Sequence, residues 1–495
     1  MAQPKLDGFW LKILYAHSNM TTVAEEIKYA RLRVAANYGL APLEEQSDSE
    51  SLVADSDSAD AHALGSSSLE LPVDERILPE PQYRRPPYTF QLNPMGIGHR
   101  TGLGDDIAAS PSAVMTFGRE DGISPEQRLR FLVDLGSNAF WAASAEITGS
   151  DDQYLPFRGR FGAFHDLWGY RNPRNRETVI STMTDEFCSG CADGKEGQAV
   201  YRLHRDRIYF KHADDWSKAE TLPVVFGVAH DVSEGRLQTI PADGILPLGR
   251  RMSFDPNEGY SFLGQIAPHL EHPELTMYFT KTGNPTGAIL LGKCTKVAHE
   301  KAGLFGPWHD DIPLIGDLHW ALEANLKKVD DEVHQTNTRL AQNGIVFDSD
   351  STFTFLEDLL FHKIYKEHRL EYDPAVEAWT ISADTISGVP LPSVEIQLGP
   401  ATQGDSRYFP FPVLYLRPAG AAAPPAGPGR VVCAIQPLSQ LSTDEGAPEV
   451  LGITALTHLA VKLRFPDVAD RRCDRLAWRT KPADCGALAP RGAWE

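Results

Sequence analysis

Two stretches 214 residues apart set the terms for any fold this chain of 495 residues adopts. The first runs from Phe131 through Val133 to Asp134, turns on Gly136 and Ser137, and becomes apolar again by Phe140 and Trp141. The second runs from Gly344 through Phe347 to Asp348, turns on Ser349, Asp350 and Ser351, and becomes apolar again at Phe353 and Phe355. Each opens as a buried strand would and ends on one aspartate before a turn of small residues. A carboxylate at the end of an apolar strand is costly unless it is hydrogen-bonded or put to use. Two copies of one costly arrangement therefore read as a matched pair.

The pair resembles the active loops of the pepsin-like aspartic peptidases, which carry apolar-apolar-Asp-Thr/Ser-Gly-Ser/Thr in each of two lobes. The first loop keeps the Asp, Gly and Ser and ends on Trp141, and the second keeps Asp-Ser with Asp350 where the family has glycine. The resemblance continues in order along the chain. Ala192–Gly197 followed by Tyr201–Phe210 is similar to the flap hairpin, with Cys191 where the family carries tyrosine. Val224–Val228 and then Asp243-Gly-Ile-Leu-Pro-Leu-Gly249 are similar to the first lobe's Phe-Gly and Asp-Gly-Ile-Leu-Gly-Leu-Gly signatures. Leu275–Phe279 with Gly287–Gly292 resembles the crossing between lobes. Leu318–Ala324, a helical stretch from Leu356 to His368, Val450–Leu456, Val461–Asp467 and Arg475–Trp478 then follow the second lobe's order, with Ile453 in place of an expected Asp.

The resemblance implies an all-β, two-lobed fold with a cleft between an N-terminal lobe, 82–280, and a C-terminal lobe, 281–495. It implies Asp134 and Asp348 as a catalytic pair, with Gly136, Ser137, Trp141, Cys191, Asp350 and Ser351 bordering the substrate cleft. No cofactor and no metal is expected. In that geometry the two carboxylates share one proton and polarise a water against a peptide carbonyl. Leu135 stands where the family has a hydroxyl that locks the loops together, and Asp350 adds a third carboxylate. Three readings stay open: an endopeptidase, a relative doing acid–base chemistry (dehydration, isomerisation or cyclisation) on a small molecule, and a binding or inhibitor protein. The expected partner is a peptide or small molecule in the cleft, and the chain is expected to be a monomer.

The remaining composition narrows the field. A net charge of -20 argues against nucleic acid, which rewards clustered Lys and Arg. The absence of an apolar run of spanning length argues against a transmembrane helix. Six scattered cysteines, Cys188, Cys191, Cys294, Cys433, Cys473 and Cys485, permit disulfides without choosing among them, and one Cys-x-x-Cys pair is too little for a zinc site. His269 with His272, and His362 with His368, lack the i, i+4 spacing of a zinc helix. Residues 1–81 read as an N-terminal extension. Asp7 and Lys12 spoil a signal peptide there, 20–39 has helical spacing like a pro-segment, and the Ser- and Asp-rich stretch from Glu44 to Glu75 reads as an acidic linker. Location stays open: intracellular by this sequence, secreted or vacuolar by resemblance. Pro418–Arg430 reads as a flexible insertion.

Overall fold

The computed structural model describes residues 9–16, 110–117, 127–148, 178–188, 197–211, 219–232, 243–250, 261–270, 272–279, 287–292, 306–316, 319–337, 343–349, 351, 353–373, 378–382, 385, 388–389, 391–400, 408–410, 414–415, 430–442, 447–464 and 475–480. The expected helix at 20–39, the linker at 44–75, the start of the folded body near 82, Cys191, Asp350 and all of the tract at 418–430 but Arg430 lie outside them. Among the described residues the chain is predominantly β, as expected, with a few short helices. The strands form one thirteen-stranded sheet, one of five strands and two of four.

The strand Gln127–Asp134 explains its own burial. Leu129, Phe131 and Val133 alternate into the core, and Leu132 on the opposite side is buried as well, so both faces are covered. Phe131 and Phe140 bracket the Asp134 loop, and their rings lie 5.5 Å apart. Phe140 also meets Phe226 at 5.6 Å and Phe262 at 5.4 Å, while Phe117 meets Phe226 at 5.0 Å. All these separations fall in the range where tilted and edge-on aromatic pairs attract. The loop's two ends thus rest on one aromatic cluster.

The chain builds the same local topology twice. In the first half Gln127–Asp134 pairs in parallel with the later strand Gly244–Pro247, Phe131 opposite Gly244 and Asp134 opposite Pro247. That later strand pairs antiparallel with Trp141–Thr148, which pairs in parallel with Ala219–Val232. In the second half Ile345–Phe347 pairs in parallel with Glu449–Leu451. Glu449–Leu451 meets Thr354–Leu356 in antiparallel fashion, and Thr354–Leu356 pairs in parallel with Ile435–Pro437. A short helix follows each closing strand, Phe262–Ile266 in one half and Ile453–Leu456 in the other. Parallel strands need a crossover connection, and here each aspartate's partner strand lies roughly a hundred residues downstream.

Within the stretch read as an extension, Phe9–Ala16 supplies a strand of the large sheet. It pairs with Gly287–Leu291 on one side and Ser110–Phe117 on the other. The same sheet runs through the expected boundary near residue 280, because Glu274–Phe279 joins both Gly287–Leu291 and the late strand Leu459–Arg464.

A buried ion pair anchors the second half. Lys327 Nζ lies 2.7 Å from Glu449 Oε2, with both side chains at most 2% exposed. Lys327 also donates to the Ala324 carbonyl at 3.0 Å and to Thr336 Oγ1. Glu449 Oε1 accepts the Glu357 N–H at 3.0 Å. Cys433 is a free thiol buried in the same half, and burial pushes it up to about 12, which makes it an inert packing group. Removing one member of a buried pair strands the other charge, so Lys327→Met is expected to cost about 3–5 kcal/mol. The double variant Lys327→Met with Glu449→Gln is expected to recover most of that loss in urea unfolding. Equal losses in the single and double variants would show that the stranded carboxylate is not the source.

Candidate functional site

Asp134 and Asp348 sit where the two repeated units end their first strands, and both are fully buried. In each loop the backbone is closed by the later strand. The Leu248 N–H donates to the Asp134 carbonyl at 2.7 Å, and the Asp348 N–H donates to the Leu451 carbonyl at 3.0 Å. Main-chain donors also hold the first carboxylate: Gly136 N–H reaches Asp134 Oδ1 at 2.7 Å and Ser137 N–H reaches it at 3.3 Å.

Two glycines let the closing segments come this near. A Cβ on Gly249 would stand 2.3 Å from the Ser137 carbonyl oxygen, and one on Gly452 would stand 2.1 Å from the Phe353 carbonyl oxygen. Both obstacles are backbone, so any side chain there would push the closing strand off its Asp loop.

The two loops meet through one hydroxyl. Ser349 Oγ donates to the Val133 carbonyl at 2.7 Å and accepts the Leu135 N–H at 3.3 Å. Those partners flank Asp134, so the residue after one aspartate grips the chain on either side of the other. Leu135, at the matching place in the first loop, is buried in the apolar core and has no polar atom to return the contact.

The other expected site residues take different places. Gly136 lies in the turn beside Asp134, and Ser137 is half-buried at its edge. Ser351 is buried; its hydroxyl donates to the Phe353 carbonyl at 2.8 Å and its own carbonyl accepts the Ile453 N–H at 2.7 Å, so it shapes the second loop. Trp141, expected on the cleft, is fully buried as the first residue of its strand, opposite Gly227 and Ile245. It supports the loop from within the protein. Among the described residues no three His, Cys, Asp or Glu side chains gather as a metal would require.

Three residues near Asp134 emerge from the structure alone. Arg250, next after the Leu-x-Leu-Gly segment, is buried and points one guanidinium nitrogen at main-chain carbonyls of residues 315, 316 and 319. Trp320 Nε1 donates to the Leu248 carbonyl at 2.6 Å. His319 is the third: burial first, and then the Arg250 charge, push its imidazole down to about 4, against an opposing pull from the Asp134 carboxylate. Sequence signals for these were slight. Trp320 and His319 fall within a segment already read as second-half strand, and Arg250 follows a recognisable signature by one residue.

Comparison with protein-family models finds no match to this chain, and comparison with curated proteins finds none either. The site's chemistry therefore rests on its geometry.

The His319 shift has a definite sign. With the folded value near 4 and the ordinary value at 6.5, the unfolded chain takes up this proton first as pH falls. Stability is lost between those two values and the loss levels off below about 4, reaching on the order of 2–3 kcal/mol. His319→Gln is expected to flatten the difference in unfolding free energy between pH 7 and pH 4 by that amount, read from urea midpoints. An unchanged slope would remove His319 from the account.

Proposed function

We propose that the chain is an aspartic-type endopeptidase with a pepsin-like, two-lobed fold, using Asp134 and Asp348 to activate water for peptide-bond hydrolysis. The observation that carries this reading is the Ser349 hydroxyl, bonded to the main chain on both sides of Asp134. A residue neighbouring one aspartate grips the chain around the other, and both carboxylates lie at the ends of strands with repeated topology. The glycine-permitted closure of each loop and the main-chain donors on Asp134 add support.

In this reading the two carboxylates share one proton, one member acting ionised and the other protonated. The ionised member draws a proton from a water, whose oxygen forms a new bond to the peptide carbonyl carbon. The protonated member donates to the developing oxygen, and collapse breaks the C–N bond as a proton passes to the leaving nitrogen. The net change is addition of one water across one peptide bond. A peptide in the cleft between lobes is the corresponding substrate.

One observation favours a second reading, acid–base chemistry on a small molecule without proteolysis. The tie between the loops is made from Ser349, while Leu135 offers no hydroxyl in return. A less firmly fixed pair suits a reaction that asks less of its two carboxylates than peptide hydrolysis does.

The test is cleavage of a denatured protein by the full chain between pH 3 and 7, with a statine-type peptide as inhibitor. Asp134→Asn and Asp348→Asn are each expected to lower the rate at least about a hundredfold. Ser349→Ala is expected to retain measurable but reduced cleavage and to lose about 1–3 kcal/mol of stability, the cost of leaving buried main-chain groups unpaired. Absence of cleavage by the unaltered chain across this range would rule out the endopeptidase and leave the second reading.

A further inference from the structure

We propose that Arg250 is a positioning residue for the two aspartates, fastening Ile315, Gly316 and His319 against the first loop and making the tie that Leu135 does not. The inference rests on the proposed role of Asp134 and Asp348, but its geometry stands apart from it.

A continuous hydrogen-bonded path runs between the aspartates without passing through Ser349. Leu248 N–H donates to the Asp134 carbonyl at 2.7 Å, and Gly249 N–H donates to the Ser137 carbonyl at 2.9 Å. The Leu248 carbonyl in turn accepts Trp320 Nε1 at 2.6 Å. The Trp320 carbonyl accepts the Phe347 N–H at 3.0 Å, and the next residue is Asp348. The member of this path that Arg250 can steady is the approach to Trp320, where the described residues show one bridge between Ile315 and Ala321 and then the two-residue strand Ala321–Leu322.

Arg250 steadies that approach. It follows Gly249 directly, is only 5% exposed, and sends one guanidinium nitrogen to the Ile315 carbonyl at 2.9 Å, to the Gly316 carbonyl, and more distantly to the His319 carbonyl at 3.4 Å. Charge-assisted bonds to carbonyls in a buried setting are stronger than neutral ones. The planar fork also fixes direction, which a lysine ammonium on its flexible stem does not. The Trp320 indole is thereby held in reach of Leu248.

The same guanidinium acts on His319 electrostatically. It opposes protonation of the imidazole, while Asp134 favours it. A protonated His319 would hold the Asp134 carboxylate ionised and disturb the sharing of one proton between the aspartates. Burial does most to keep His319 uncharged, and the Arg250 charge adds to it while its hydrogen bonds fix the loop's position.

The experiment compares Arg250→Lys and Arg250→Met in the full chain with Leu360→Ala, a core truncation on the helix Asp358–Ile364 that touches none of this path. Amide hydrogen exchange is followed at residues 134–137 and 345–348, and the His319 imidazole is titrated by NMR. Both Arg250 variants are expected to speed exchange at those amides at least tenfold beyond the Leu360→Ala variant, once matched for global stability. The His319 titration is expected to rise from about 4 toward its ordinary value in Arg250→Met and to stay low in Arg250→Lys. If the unaltered chain cleaves peptides, Arg250→Lys is expected to lower kcat while KM changes less than twofold. Exchange no faster than in the Leu360→Ala variant would overturn the proposal. If the unaltered chain cleaves nothing, the proposed function fails, and the exchange result still decides the role of Arg250.

Discussion

Everything near the site depends on how two buried carboxylates at strand ends are held by the surrounding chain. The main chain around each is closed by a strand that arrives from far downstream, Gly244–Pro247 for Asp134 and Glu449–Leu451 for Asp348. Each closure needs close backbone approach, which Gly249 and Gly452 permit. The Ser349 hydroxyl then joins the two closed units through the carbonyl of Val133 and the N–H of Leu135. The strand ending at Asp134 lies in the thirteen-stranded sheet and the one before Asp348 in the five-stranded sheet, and the Ser349 hydroxyl is one of the links between them.

The two units solve the same problem with different residues. The second loop contributes a hydroxyl to the junction, whereas the first contributes only its backbone, and its Leu135 side chain joins the hydrophobic core. What the first loop gains is an apolar foundation: Phe131 and Phe140 pair beneath it and connect to Phe226 and Phe262. What it gives up is a polar link, and Arg250 with Trp320 supplies hydrogen bonds in that region. In the second unit the foundation is partly ionic, since Glu449 opens the closing strand and is paired with Lys327. Apolar packing and buried charge thus support matching turns in one chain.

The strand-to-aspartate stretches were legible because an apolar run ending on one Asp and small turn residues is a local pattern. So were Ala219–Val232, Gly244–Pro247, Glu274–Phe279 and the helix Asp358–Ile364, whose apolar spacing or turn residues sit within a few positions of one another. The strand Phe9–Ala16 was not read as part of the sheet. Eight mostly apolar residues interrupted by Lys12 fit several structures, and what makes them a strand is pairing with residues 110–117 and 287–291. Leu318–Ala324 read as one alternating strand, yet regular pairing is confined to Ala321–Leu322. Nearby, the Ile315, Gly316 and His319 carbonyls accept from the Arg250 guanidinium instead.

The sequence by itself determined the β character, the two Asp-bearing turns and their order, because alternation, apolar runs and small turn residues act over short distances. Only the tertiary structure decided that Ser349 would reach across to Val133 and Leu135, that Trp141 would lie inside the protein, and that Arg250 would face residues 315–319. Those outcomes depend on pairings between residues tens to hundreds of positions apart. No local preference encodes such a pairing; it follows from which strands can close one another's backbone while both carboxylates stay buried.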